Sequence, residues 1–198
     1  MIYLVSTSPR RRELLNQIGI RFETLLLRSN PARGGAVDET PIPGENIEDY
    51  VKRIAEAKAA SGWKRLAERK LPFHPVLAAD TAVFLEGRIV GKPENADAAI
   101  AMLESLSGRE HEVLTAVCCV YFDRIETMLS RSKVRFCELS GMEIREYVST
   151  GEPMDKAGGY AIQGKAARFI ERIEGSYSSV MGLPLYETGQ LLSRIGKT

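Results

Sequence analysis

The chain has 198 residues, 44% of them hydrophobic, enough to bury a full core as one domain or as two closely joined lobes. Its 27 basic and 26 acidic side chains leave a net charge of +1, which excludes a global attraction to nucleic acid or membrane surfaces, so any anion site must be local. No apolar run reaches transmembrane length and the N-terminal one is too short for a signal peptide, so a cytoplasmic protein with no membrane partner is expected.

Ile2 to Val5 predict a short buried strand. Ser8 then suits a helix N-cap and Pro9 the first helical position, with Leu14, Leu15 and Ile18 forming an apolar face. Arg10, Arg11 and Arg12 fall in the first turn, where the helix dipole is already positive. Each such charge costs ~0.3–1 kcal/mol unless an anion neutralises it. Strand, hydroxyl loop, helix start and arginine cluster together describe a phosphate site. Three consecutive helical residues cannot all face one ligand, which leaves Arg12 on the surface. The competing reading is an ordinary N-cap followed by solvated arginines.

Arg28 to Gly44, rich in proline and glycine, read as a loop that Asp38 and Glu39 close. Those two acids are either solvated or a second carboxylate for a metal. Ile47, Tyr50, Val51, Ile54 and Ala55 recur at helical spacing and predict a helix from Ile47 to Ala60. Lys58 shares that apolar face, so it either snorkels outward or points into a cleft. Val76 to Ala79 predict a central strand ending at Asp80-Thr81, which puts a carboxylate where open α/β sheets place their ligands. Asp80 there can bind a divalent cation, act as general base on water, or simply cap the turn. Glu86-Gly87 signal a hairpin between Ala82–Leu85 and Arg88–Val90, and Gly91-Lys92-Pro93 then put a cation on a rigid turn, suited to a phosphate oxygen or to solvent.

Further along, Asn95 caps a helix carrying Ala99, Met102, Leu103 and Leu106, and two long strands run from Glu112 to Phe122 and from Ile125 to Glu138. Cys118, Cys119 and Cys137 lack metal-site spacing and read as reduced core residues. Gly141 to Thr150 are helical, with Met142 and Tyr147 or Ile144 and Val148 as the inward face. A last helix starts at Pro184 with Leu185, Thr188 and Leu192 inward. Between these helices, residues 151–164 combine backbone freedom with polar function: Asp155 and Lys156 offer paired charges, and Gln163 offers a donor and an acceptor able to read a base edge. His74 and His111 show no triad or metal pattern and read as structural. Strands and helices mix without strict alternation, so the expected fold is α/β around a mostly mixed sheet. The inventory lacks a Walker loop, a dinucleotide fingerprint and a nucleophile elbow, and fits a metal-assisted hydrolase acting on a phosphorylated small molecule.

The segments STSPRRRELL, AADTAVFLEGRIVGKP, LSGREHEVLTAV, TGEPMDKAGGYAIQG and GSYSSVMGLPLYET, in this order over nearly the whole chain, resemble the successive motifs of the Maf family of nucleoside triphosphate pyrophosphatases. The resemblance implies one domain over 1–198 with a long mixed sheet flanked by helices, two lobes and a central cleft, similar to the inosine-triphosphate pyrophosphatase fold. It implies hydrolysis between the α and β phosphates, with Mg²⁺ or Mn²⁺ held by Glu39 and Asp80 and with Asp80 activating water. By the same resemblance Ser8, Arg11, Lys58, Lys92 and Lys156 line the triphosphate, while Arg10, Thr81 and Gln163 bear on base specificity. DKAGGYAIQG is similar to the branch acting on dTTP and UTP, whose shared O4/N3–H edge an amide can pair. A homodimer is also implied. The rival expectations are a nucleotide-binding regulator of septum formation and a pyrophosphatase for non-canonical purine nucleotides.

Overall fold

The computed structural model describes residues 1–27 and 37–196, so most of the proline- and glycine-rich loop expected over 28–44, including RSNPARGGA, lies outside the described residues. The strands are β1 (Ile2–Val5), β2 (Phe22–Thr24), β3 (Val76–Leu85), β4 (Arg88–Val90), β5 (Glu110–Tyr121), β6 (Arg124–Phe136) and β7 (Ile170–Glu174). The helices are α1 (Pro9–Gln17), α2 (Ile47–Arg69), α3 (Ala96–Leu106), α4 (Gly141–Ser149), α5 (Tyr177–Met181) and α6 (Leu185–Ile195). All seven strands join one mixed sheet in the order β2-β1-β3-β5-β6-β7, with β4 paired to β3. β1 runs parallel to β2 and β3, while β3–β4 and β6–β7 are antiparallel. The expected α/β class with a long mixed sheet is therefore observed.

The chain forms two compact units, one of residues 1–80, 115–130 and 182–198 and the other of residues 81–114 and 131–181. In the first, Leu4, Leu15, Val51, Ile54, Ala55, Leu66, Leu77 and Leu191 are fully buried. Asn46 caps α2 by accepting from the Asp49 N–H at 2.9 Å, and Glu48 and Asp49 place negative charge in its first turn. This helix runs nine residues beyond the expected end at Ala60. Gly62, a weak helix former, is retained because a Cβ there would lie 2.9 Å from Val76 Cγ1 and closer still to Val5 Cγ2. The missing side chain lets the helix lie directly on β1 and β3. The helix stops only at Lys70, which turns left-handed at φ 52°.

The second unit has its own core, in which Val83, Leu103, Leu106, Val134, Phe136, Ile144, Tyr147 and Phe169 are buried. Asn95 caps α3 through the Ala98 N–H at 2.9 Å, and Ser140 with Glu143 makes a reciprocal capping box on α4. α4 buries Ile144 and Val148 as the second of the two expected faces, joined by Tyr147, and leaves Met142 73% exposed, so the Met142–Tyr147 face is not formed.

Other expectations also shift. β3 does not end at Asp80-Thr81 but continues to Leu85, and the hairpin pairs Val83 with Val90 across Glu86-Gly87. The inward residues of α6 are Thr188, Leu191 and Ile195, with Leu185 and Leu192 only half-buried. β5 and β6 lie within two residues of their expected bounds, whereas β2, β7 and α5 had no counterpart in the sequence pattern because they are short and largely uncovered. Cys118 and Cys119 are buried and free, and burial pushes the Cys118 thiol up to about 11, as expected for inert core thiols. Among the described residues, no helix is long and apolar enough to cross a membrane.

Candidate functional site

The register of β1 on β3 explains the position of Asp80. The parallel ladder pairs Val5 with Ala78 and ends there, because β1 gives way to the Ser6–Ser8 loop. Asp80 thus lies mid-strand in β3, yet two residues past the end of its parallel pairing. That restores the strand-end character expected of it by a different route. It is 8% exposed, and its Oδ1 accepts from Lys58 Nζ at 2.8 Å. The same ammonium lies 2.6 Å from Glu39 Oε1. Lys58 therefore points into the site rather than snorkelling to solvent, and draws together two acids 41 residues apart in sequence.

Glu39 is itself held by its backbone. Its carbonyl accepts from the Tyr50 hydroxyl at 3.0 Å, and Arg53 secures the same segment through the Thr40 carbonyl at 3.1 Å and the Glu45 carboxylate at 2.6 and 2.7 Å. Burial, then the nearby charges of Asp80 and Glu39, push the Tyr50 hydroxyl up to about 12, so it stays a neutral donor. Tyr50 and Arg53 were not anticipated as site residues. The available signal was that Tyr50 lies about two turns before Lys58 on the same helix.

At the start of α1, Ser8 occupies the N-cap but its side chain makes no cap bond, and its own N–H donates to Ser6 Oγ at 3.1 Å. The cap position is as expected, and the cap interaction is absent. Arg11 folds back over the loop, donating from Nε to the Gly182 carbonyl at 2.7 Å and from Nη1 to Ser6 Oγ at 3.5 Å. Desolvation lowers the Arg11 pKa, the charges of Asp80 and Glu39 oppose that, and neighbouring Arg10 reinforces it. Ser8, Arg11, Glu39, Lys58 and Asp80 all belong to the first unit, with Arg10 half-buried beside Arg11.

The remaining candidates belong to the second unit. Thr81 follows Asp80 in β3 and is half-buried, whereas Lys92 and Gln163 are exposed. The Gly158 N–H donates to the Gly91 carbonyl at 2.9 Å, which docks the glycine-rich loop on the turn carrying Lys92. Lys156 Nζ donates to the Glu152 carbonyl at 2.6 Å and to the Asp155 carboxylate. His111, read as structural, is 2% exposed and bonds to the Tyr160 hydroxyl at 2.8 Å. Its pKa is pushed down to about 4, mainly by burial, which keeps it neutral.

A divalent cation is compatible with this chemistry. Among the described residues no group of three or more His, Cys, Asp or Glu side chains converges. The protein offers instead two oxygen donors, Glu39 and Asp80, held by one ammonium. A hard cation that takes its other ligands from phosphate and water suits that set, and a softer metal needing imidazole or thiolate does not.

Comparison with known proteins agrees with the motifs. The Maf-like protein family profile matches residues 1–195. A dTTP/UTP pyrophosphatase of Aromatoleum aromaticum is 57% identical over 196 residues, covering 98% of this chain and 95% of its own. Proteins of the same name from Nitrosomonas europaea and Dechloromonas aromatica are 55% and 52% identical, over 94% and 97% of their lengths. The solved structure of the Staphylococcus aureus Ham1 protein superposes with a TM-score of 0.52 over 99% of both chains at 14% identity, a likeness of fold alone. From a family profile spanning the chain and relatives above half identity over nearly their full length, the chain belongs to the Maf family.

Proposed function

We propose that this protein is a nucleoside triphosphate pyrophosphatase that hydrolyses dTTP and UTP to the monophosphate and pyrophosphate. The observation that carries the reading is a buried Asp80 bound to Lys58 beside Glu39, in a chain whose close relatives bear the name dTTP/UTP pyrophosphatase over nearly all of its length. In this reading Asp80 accepts the proton of the attacking water. Arg11 and Lys58, with Ser8 as a hydroxyl donor, neutralise charge as it develops on the leaving pyrophosphate. Lys92 and Lys156 carry the same role, and Gln163 reads the O4/N3–H edge of the base, with Arg10 and Thr81 contributing to base choice. Glu39 and Asp80 would hold the cation, which when bound supplies charge neutralisation on phosphate oxygens.

Pyrophosphate release from dTTP, UTP, CTP, 7-methyl-GTP and ITP, with Mg²⁺ or Mn²⁺, tests this directly. Turnover concentrated on dTTP and UTP is the expected result. Preference for ITP would favour the purine rival, and nucleotide binding without turnover would favour the regulatory one. Asp80→Asn should keep fold and nucleotide binding while losing at least 10²-fold in kcat, the usual range for a general base. Retained turnover would remove Asp80 from that role.

A further inference from the structure

The proposed site leaves Glu152 without a task, although it is among the most connected carboxylates of the second unit. Its Oε1 accepts from the Tyr147 hydroxyl at 2.9 Å and its Oε2 from the Lys165 N–H at 3.1 Å. Its backbone carbonyl takes the Lys156 ammonium at 2.6 Å. Gly164 lies flat on the carboxyl group, where an added Cβ would sit 2.6 Å from Cδ and 2.7 Å from Oε2. At φ −102° Gly164 needs no glycine for its backbone, so the close approach of Glu152 is what excludes a side chain. Tyr147, at 1% exposure, anchors the arrangement in the core on α4.

These contacts close a loop from residue 152 to residue 165, which contains Lys156 and has Gln163 directly beside the clamped glycine. Gln163 is exposed and has no helix or strand of its own to hold it. An amide that reads a base edge must be held within about 0.5 Å and 10–20° of its working geometry by supporting residues. Resting on the function proposed above, we infer that Glu152 is the positioning residue for base selection: its carboxylate fixes the Gly164 end of the loop and so the Gln163 amide, while its carbonyl holds Lys156. It touches neither base nor phosphate in this role. A carboxylate suits the task because it accepts from both Tyr147 and Lys165 at once; glutamine can also satisfy both, turning its amide oxygen to Lys165 N–H and its NH₂ to the Tyr147 oxygen, whereas alanine satisfies neither.

The test compares wild type, Glu152→Ala, Glu152→Gln and Tyr147→Phe for kcat and KM on UTP and CTP, with amide hydrogen exchange over residues 156–164 read in parallel. Glu152→Ala should cut the UTP-over-CTP preference in kcat/KM at least tenfold, mostly through KM, with kcat within about threefold. Exchange across the loop should quicken. Glu152→Gln should restore most of both readouts, and Tyr147→Phe, which removes one donor but keeps the buried ring, should lose about two- to fivefold. An Ala variant that is less heat-stable but keeps full base preference would overturn the inference and leave Glu152 a structural brace. A wild type that turns over UTP and CTP equally would overturn the base-reading assignment itself, and this inference with it.

Discussion

Acidification should destabilise the second unit, and His111 makes a separable contribution to that loss. Its ring is buried between Phe136 and Tyr160, centroids 5.2 and 5.4 Å away, and among the described residues its Nδ1 has no hydrogen-bond partner. In the folded chain its pKa is held down at about 4, chiefly by burial and against the opposing charge of Glu110, whereas its ordinary value is 6.5. The unfolded chain therefore takes up the proton first as pH falls. The stability is fully present above about pH 7, is lost progressively through the window from 6.5 to 4, and does not fall further through this residue below that. At 1.36 kcal/mol per pH unit the whole window is worth about 3 kcal/mol, and about 2.5 kcal/mol is already gone at pH 4.5. Against a typical stability of about 5–15 kcal/mol, that is a large fraction.

Urea unfolding at pH 7 and pH 4.5, for wild type and His111→Gln, isolates the contribution. Glutamine keeps a polar contact to Tyr160 and does not titrate, and the carboxylates that also lose stability in acid, such as Glu110, Glu143 and Glu45, are common to both proteins. Circular dichroism is the suitable signal, because the single tryptophan, Trp63, belongs to the first unit. Wild type should lose about 2 kcal/mol more than the variant between the two pH values. Equal losses, within about 0.5 kcal/mol, would mean that His111 is solvated or paired when charged, and the burial argument would fail.

Helix propensity alone favours Gly62→Ala by about 1 kcal/mol. The valines facing it in β1 and β3 are themselves buried, so overpacking of about 1–3 kcal/mol wins, and a lowered melting temperature is expected. A rise would show that α2 can move off the sheet at no cost. Lys58→Met removes the cation shared by Glu39 and Asp80 and should destabilise by about 1–3 kcal/mol, below the 3–5 of a fully buried pair because Lys58 is 18% exposed. The same variant should raise KM for UTP at least tenfold in pyrophosphate release, and unchanged KM would take Lys58 out of the triphosphate site.

Much of the architecture was legible before any coordinate. The apolar spacing of Ile47, Tyr50, Val51 and Ile54, the cap at Asn95, the helix start at Pro9 and the Glu86-Gly87 turn all report local backbone preferences, and local preference is what a linear pattern carries. The same is true of chemistry written in side-chain type: arginines in the first turn of a helix run against its dipole, and that conflict is visible in the sequence. Errors fell where the deciding partner is distant. α2 outruns its expected end because Val5 and Val76 welcome a missing side chain at Gly62. Leu191 rather than Leu192 faces inward on α6 because its helix packs by the phase of Thr188 and Ile195.

What the sequence determined by itself was the inventory of groups, the short-range elements that carry them and, through its ordered motifs, the family. What only the tertiary structure decided was which groups meet. Lys58 turns toward Asp80 and Glu39 rather than to solvent because those two carboxylates pair with its ammonium. Asp80 regained a strand-end setting because β1 stops at Val5. Glu152 clasps a loop whose other end is thirteen residues on, at Lys165. Burial and pairing depend on contacts between residues far apart in the chain, and those contacts appear only when the sheet register is set.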